Sequence, residues 1–100
     1  MNQQDAKTLE CINAEMERRN LDARFKEHPH YPLKHALLCK IDEKRMVRVH
    51  LEFRKADYFF YDGPDTCFGS SIAFGGPFKG RGWREKLAHA AANAFEAYGR

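Results

Sequence analysis

The chain has 100 residues, 43% of them apolar and 31% charged, with a formal net charge of +3. That length supports one modest hydrophobic core, and the composition excludes a disordered chain. No apolar run approaches the roughly 20 residues that span a bilayer, and the polar start "MNQQDAKTLE" is not a signal peptide, so a single cytoplasmic domain over 1–100 without membrane attachment is expected.

The first segment, "NQQDAKTLECINAEMERRNLDARF", has the pattern of an amphipathic helix. Ala6, Leu9, Ile12 and Met16 share one face, Asn2 is suited to the N-cap, and Asp5 complements the dipole in the first turn. The helix is expected to end between Asn20 and Lys26, because Pro29 and Pro32 in "EHPHYP" force extended backbone before them.

Two strands follow, "HALLCKI" and "RMVRVHLEFR", joined by "DEK" as an antiparallel hairpin. In the second, Val47, Val49, Leu51 and Phe53 alternate with Arg48, His50, Glu52 and Arg54, the period of a half-buried strand with one cationic face. A third strand is read in "DYFFY", closed by the turn chemistry of "DGPD". "CFGSSIAFGG" fits a fourth strand that Gly69 weakens. The last segment, "WREKLAHAAANAFEAYG", is helical: Leu87, Ala91, Ala94 and Tyr98 form a stripe widened by Trp83, Ala90 and Phe95, with Gly99 as its stop. The expected fold is a two-layer α+β domain of order α-β-β-β-(β)-α, with an antiparallel sheet carrying both helices on one face.

Charge is unevenly spread. Residues 28–55 carry seven cations against three anions, 56–78 three anions and no cation, and 79–100 five cations against two anions. Such blocks speak to partners rather than to fold. In "GGPFKGRGWREK", Lys79, Arg81, Arg84 and Lys86 gather where the last helix begins, and its free N–H groups attract anions. The stretch is not a nucleotide-binding P-loop, since Arg81 and Gly82 stand where Lys and Ser or Thr are needed, and it is not a dinucleotide fingerprint either. Its glycines also suit a plain strand-to-helix passage.

On the open sheet face, Arg48 and Arg54 would extend the basic track. In 58–61, Tyr58 and Phe60 point one way and Phe59 and Tyr61 the other, so one aromatic pair is expected beside the arginines unless a loop covers it. Aromatics beside arginines suit base stacking with phosphate contact, or a protein interface.

The basic residues before an alanine-rich helix, in "GRGWREKLAHAAANAF", together with the element order, resemble double-stranded RNA-binding domains. The resemblance implies phosphate contact from Arg84 at the start of the last helix. The chain departs from that pattern at Glu85, where a second cation belongs, in having "IDEKRM" where a Gly-Pro-x-His loop stands, and in its fourth strand.

Other chemistry is weakly marked. Cys11, Cys39 and Cys67 form no CxxC pair and are expected to be idle thiols. His28, His30, His35 and His50 lack a carboxylate or thiol at a recognised ligand spacing, so neither metal nor cofactor is expected. Asp57, Asp62 and Asp65 near Cys67 fit turn formers better than catalysts. The sequence therefore leads to a non-catalytic protein that engages nucleic acid or a ribonucleoprotein through Lys79, Arg81, Arg84, Lys86, Arg48 and Arg54. The alternative is a compact inhibitor or accessory factor of phage or mobile-element type. It would bind a host protein through the acidic aromatic patch 57–65 (Tyr58, Phe59, Phe60, Tyr61 and Asp62), or homodimerise through the sheet.

Overall fold

The computed structural model describes residues 1–28, 35–63 and 69–99. Two helices, α1 (Gln3–Arg18) and α2 (Trp83–Tyr98), enclose in sequence the strands β1 (Lys26–Glu27), β2 (Ala36–Lys40), β3 (Arg45–His50), β4 (Lys55–Tyr61) and β5 (Gly69–Gly75). The strands form one antiparallel meander in sequence order. The α+β class and the element order match the sequence expectation.

Helix α1 starts as its sequence dictates. The Asn2 side chain accepts from the Asp5 N–H at 2.8 Å, and Ile12 and Met16 are fully buried. The helix ends at Arg18, and Asn13 then holds the following segment. Its amide nitrogen donates to the Phe25 carbonyl (3.1 Å), and its oxygen accepts from the Phe25 N–H (2.8 Å). Phe25 thereby turns into the core and delivers Lys26–Glu27 to the sheet edge as β1, a strand too short to leave any alternation in sequence.

One face of the sheet packs on both helices. Leu37, Cys39, Val47, Val49 and Ala56 meet Ile12 and Met16 of α1 and Leu87, Ala88, Ala91, Ala94 and Phe95 of α2. The alanines keep α2 close to the strands, and Tyr98 at its end stacks on Tyr58 with centroids 4.0 Å apart. Glu15 is the charge on the helix layer that most needs explanation, since its side chain is only 7% exposed. Burial opposes its ionisation, but Arg19 at 2.6 Å, His89 at 3.5 Å and Arg18 hold its carboxyl below the ordinary range.

The third strand of the sheet is shorter than the sequence reading, and the expected last strand forms. β3 stops at His50, and 51–54 form the turn to β4, because the register pairs His50 with Lys55. The alternation through Leu51 and Phe53 is thus not continued strand: Leu51 packs against the core while Phe53 projects into solvent, 55% exposed. β5 is a full strand despite Gly69. A Cβ there would lie 2.1 Å from the Phe59 ring, so the ring fills the space a side chain would need.

Candidate functional site

The turn 51–54 and the segment 75–82 are far apart in sequence and joined in space. Phe78 donates its main-chain N–H to the Arg54 carbonyl at 3.0 Å. Gly76, at φ +110°, lies so close that a Cβ would sit 2.6 Å from that same carbonyl oxygen and from Lys55 Cα. The glycines therefore serve a close passage between strand and helix. Arg54 takes a left-handed backbone, φ 53°, and its guanidinium lies 3.9 Å over the Trp83 ring.

This junction gathers charge and aromatics at one end of the domain. Glu52, Phe53, Arg54, Pro77, Phe78 and Lys79 line a shallow depression. Lys55 Nζ stands 5.5 Å from the exposed Phe53 ring. Lys79, Arg81 and Lys86 are exposed and make no ion pair among the described residues. Of the sequence-predicted cations, Arg54 and Lys79 thus line one depression, and the exposed Arg81 and Lys86 follow Lys79 along the chain into the first turn of α2. Phe53 and Lys55 belong to the junction and were missed, because the alternation placed Phe53 in a strand; the signal that could have found them is the four-residue "EFRK", which sets an aromatic beside two cations just two residues before the aromatic run 58–61.

Arg84 has a different duty. Its Nε donates to Thr8 Oγ1 at 2.9 Å and its Nη2 to Gln4 Oε1 at 2.9 Å, while its guanidinium lies 4.6 Å over Trp83. It fastens α2 to α1 through two of its five N–H groups, a structural role that the RNA-binding resemblance did not imply. α2 opens on Gly82, which offers no side-chain cap.

Arg48 is likewise separate from the basic end. It projects from β3 on the face away from the helices and clamps Asp57 of β4 through Nε–Oδ1 at 2.8 Å and Nη2–Oδ2 at 2.7 Å. His50 Nε2 stands 3.2 Å from Asp57 Oδ2, and all three side chains are 12–14% exposed. Burial works against the Asp57 carboxylate, yet the bonds from His50 and Arg48 bring its pKa down to about 2. Arg48 also lies 4.3 Å over Phe59, whose ring meets Tyr61 edge-on at 5.0 Å. The open face is therefore an internally compensated network, where the sequence led to a cationic track from Arg48 to Arg54.

The stretch 57–62 does not form one acidic aromatic patch. Tyr58 is buried and stacks on Tyr98 and Phe60 on the helix side, whereas Phe59 and Tyr61 pack with Ala36, Leu38 and Met46 on the other. Asp62 accepts from Ser70 Oγ at 2.6 Å. Asp65 and Cys67 lie outside the described residues, as does His30. His28 is half-buried, and burial, with Lys40 and Lys26 nearby, lowers its pKa. Among the described residues, no three His, Cys, Asp or Glu side chains gather as a metal site. Cys39 is buried, and that burial raises its thiol pKa to about 11. Among the described residues no helix is long and apolar enough to cross a membrane.

Set against known proteins, the chain matches no family model, no curated protein and no solved structure.

Proposed function

We propose that this chain is a non-catalytic, cytoplasmic nucleic-acid-binding protein, and that it binds at the end of the domain where the 51–55 turn meets 76–86. The observation that carries this reading is the junction itself. The Phe78–Arg54 bond and the Gly76 contact bring Arg54, Lys55 and Lys79 beside an exposed Phe53, with the exposed Arg81 two residues further along, although the two segments are more than twenty residues apart. Exposed cations supply sequence-independent phosphate attraction, and a solvent-facing aromatic offers a surface for an unstacked base. Arg48 and Arg84 are left out of the proposed contact set, because each gives hydrogen bonds within the domain.

Fluorescence anisotropy with labelled oligo(dT), oligo(U) and a duplex of matched length, over a salt series, tests the proposal. Neutralising about three to five phosphates gives a log–log slope of about −2 to −4 on single strands. Phe53→Ala is expected to weaken single-strand binding more than duplex binding. No binding at low ionic strength, or binding indifferent to salt, would overturn the reading.

A further inference from the structure

The 51–55 turn carries one anion into the basic end of the domain, and phosphate attraction does not account for it. Glu52 lines the same depression as Phe53, Arg54 and Lys79, is exposed, and makes neither an ion pair nor a hydrogen bond among the described residues. A carboxylate in that place repels a phosphate and calls for a ligand group that donates. Arg54 offers the opposite chemistry from a fixed position. Its carbonyl is held by the Phe78 N–H, and its guanidinium lies 3.9 Å over the Trp83 ring. The N–H groups of that guanidinium meet no acceptor among the described residues. Phe53, 55% exposed, adds an aromatic face, and Pro77 and Phe78 add an apolar wall. One depression therefore presents a pair of acceptor oxygens, a donor fork and a ring to whatever enters it.

We infer that this depression reads a base, and that the base is an unpaired guanine; the inference rests on the nucleic-acid reading of the same site and narrows it. Guanine alone among the standard bases sets two donors side by side, N1–H and the N2 amino group, and they match the two oxygens of the Glu52 carboxylate. On its other edge O6 and N7 are adjacent acceptors, the pair that an arginine fork takes. Adenine and cytosine each place one amino group beside a ring acceptor, so the carboxylate gains one bond and meets a lone pair. Uracil and thymine flank their one N–H with two carbonyls and answer Glu52 worst. The guanine has to be unpaired, because a duplex uses N1–H and the N2 amino group in pairing. Stacking on Phe53 tolerates any base, so the choice lies with Glu52 and Arg54. Lys55 and Lys79 act on the phosphates whatever the sequence.

Fluorescence anisotropy with labelled RNA heptamers tests this: an all-uracil strand, and the same strand with a central guanine, adenine, cytosine or inosine. The guanine strand is expected to bind at least about fivefold more tightly than the all-uracil one, the smallest discrimination a good bidentate match gives. Adenine and cytosine strands should fall between them. Inosine keeps O6, N7 and N1–H but lacks the N2 amino group, so it should bind closer to the all-uracil strand than to the guanine one. That readout depends on no variant folding. Glu52→Ala should abolish the preference for guanine and tighten binding of the all-uracil strand, because it removes the acceptor and a negative charge together. Arg54→Lys keeps the charge but gives up the fork, and should reduce the preference. Equal binding of the all-uracil and guanine strands, inosine bound as tightly as guanine, or a preference that survives Glu52→Ala would overturn the inference and leave the nucleic-acid reading standing. Failure of every strand to bind at low ionic strength would overturn both.

Discussion

Phe78 donates its N–H to the carbonyl oxygen of Arg54 at 3.0 Å, and this bond ties the glycine-rich segment to the β3–β4 turn. Without it, Lys79 and Arg81 would belong to a loop with no fixed relation to Phe53 and Lys55. A local backbone contact thus decides whether scattered cations become a surface.

Gly76 makes that contact possible, so Gly76→Ala should be costly. The new Cβ would stand 2.6 Å from backbone atoms of Arg54 and Lys55, at a φ of +110°. A loss of at least about 2 kcal/mol in urea unfolding is expected, along with weaker oligonucleotide binding despite unchanged charge. Gly80→Ala is the control. It has the same kind of backbone, φ +79°, but open space around it, so only the left-handed cost of about 1–2 kcal/mol applies. Equal penalties for the two would contradict a packed junction.

The Arg48–Asp57 clamp predicts a particular acid response. The folded-state pKa of Asp57, about 2, lies below the ordinary 3.8, so its contribution to stability is whole above that ordinary value and is lost as pH falls through 2. The difference corresponds to about 2 kcal/mol. Asp57→Asn should therefore cost about that much or more at pH near 6, and markedly less near pH 2, when unfolding is followed at both. A penalty that does not change with pH would remove the carboxylate from the account.

How much of this was legible beforehand depends on range. The helices could be read because Ile12, Met16, Leu87 and Ala91 recur at helical spacing and Asn2 caps locally. β1 could not, because its two residues are placed by Asn13, twelve positions before Phe25, and carry no pattern of their own. The end of β3 was hidden by chance alternation, with Leu51 turning inward from a turn rather than from a strand. For the site, the clustering of Lys79, Arg81 and Lys86 was visible in the string. That Arg48 answers Asp57 and Arg84 answers Thr8 and Gln4 was not, since register and helix docking determine which charges find internal partners.

The Asn13 side chain does the work of a strand partner for Phe25, satisfying both its N–H and its C=O. Asn13→Ala leaves both groups of a buried residue without that partner and should cost about 1–3 kcal/mol. Asn13→Asp keeps the acceptor but turns a donor into a second oxygen facing the Phe25 carbonyl, so it should not rescue. Denaturant unfolding with an unchanged slope would confirm a folded-state effect; full recovery in Asn13→Asp would show that the carbonyl bond contributes nothing.

Arg84 and Arg81, three positions apart, should separate structure from binding. Arg84→Met keeps an apolar stem beside Trp83 but gives up the bonds to Thr8 and Gln4, which hold α2 to α1. It should lower stability by about 1–2 kcal/mol and leave the salt slope of oligonucleotide binding as it was. Arg81 is exposed and makes no ion pair among the described residues, so Arg81→Gln should change stability by less than about 0.5 kcal/mol. If Arg81 neutralises a phosphate, the same change lowers the magnitude of the slope by about 0.7 on single strands. The two readouts cross: one variant moves the unfolding midpoint, the other the salt dependence. The reverse outcome, with Arg84→Met flattening the salt dependence of a protein as stable as the wild type, would mean that Arg84 leaves α1 to meet the ligand. The basic surface would then have to be redrawn around the start of α2.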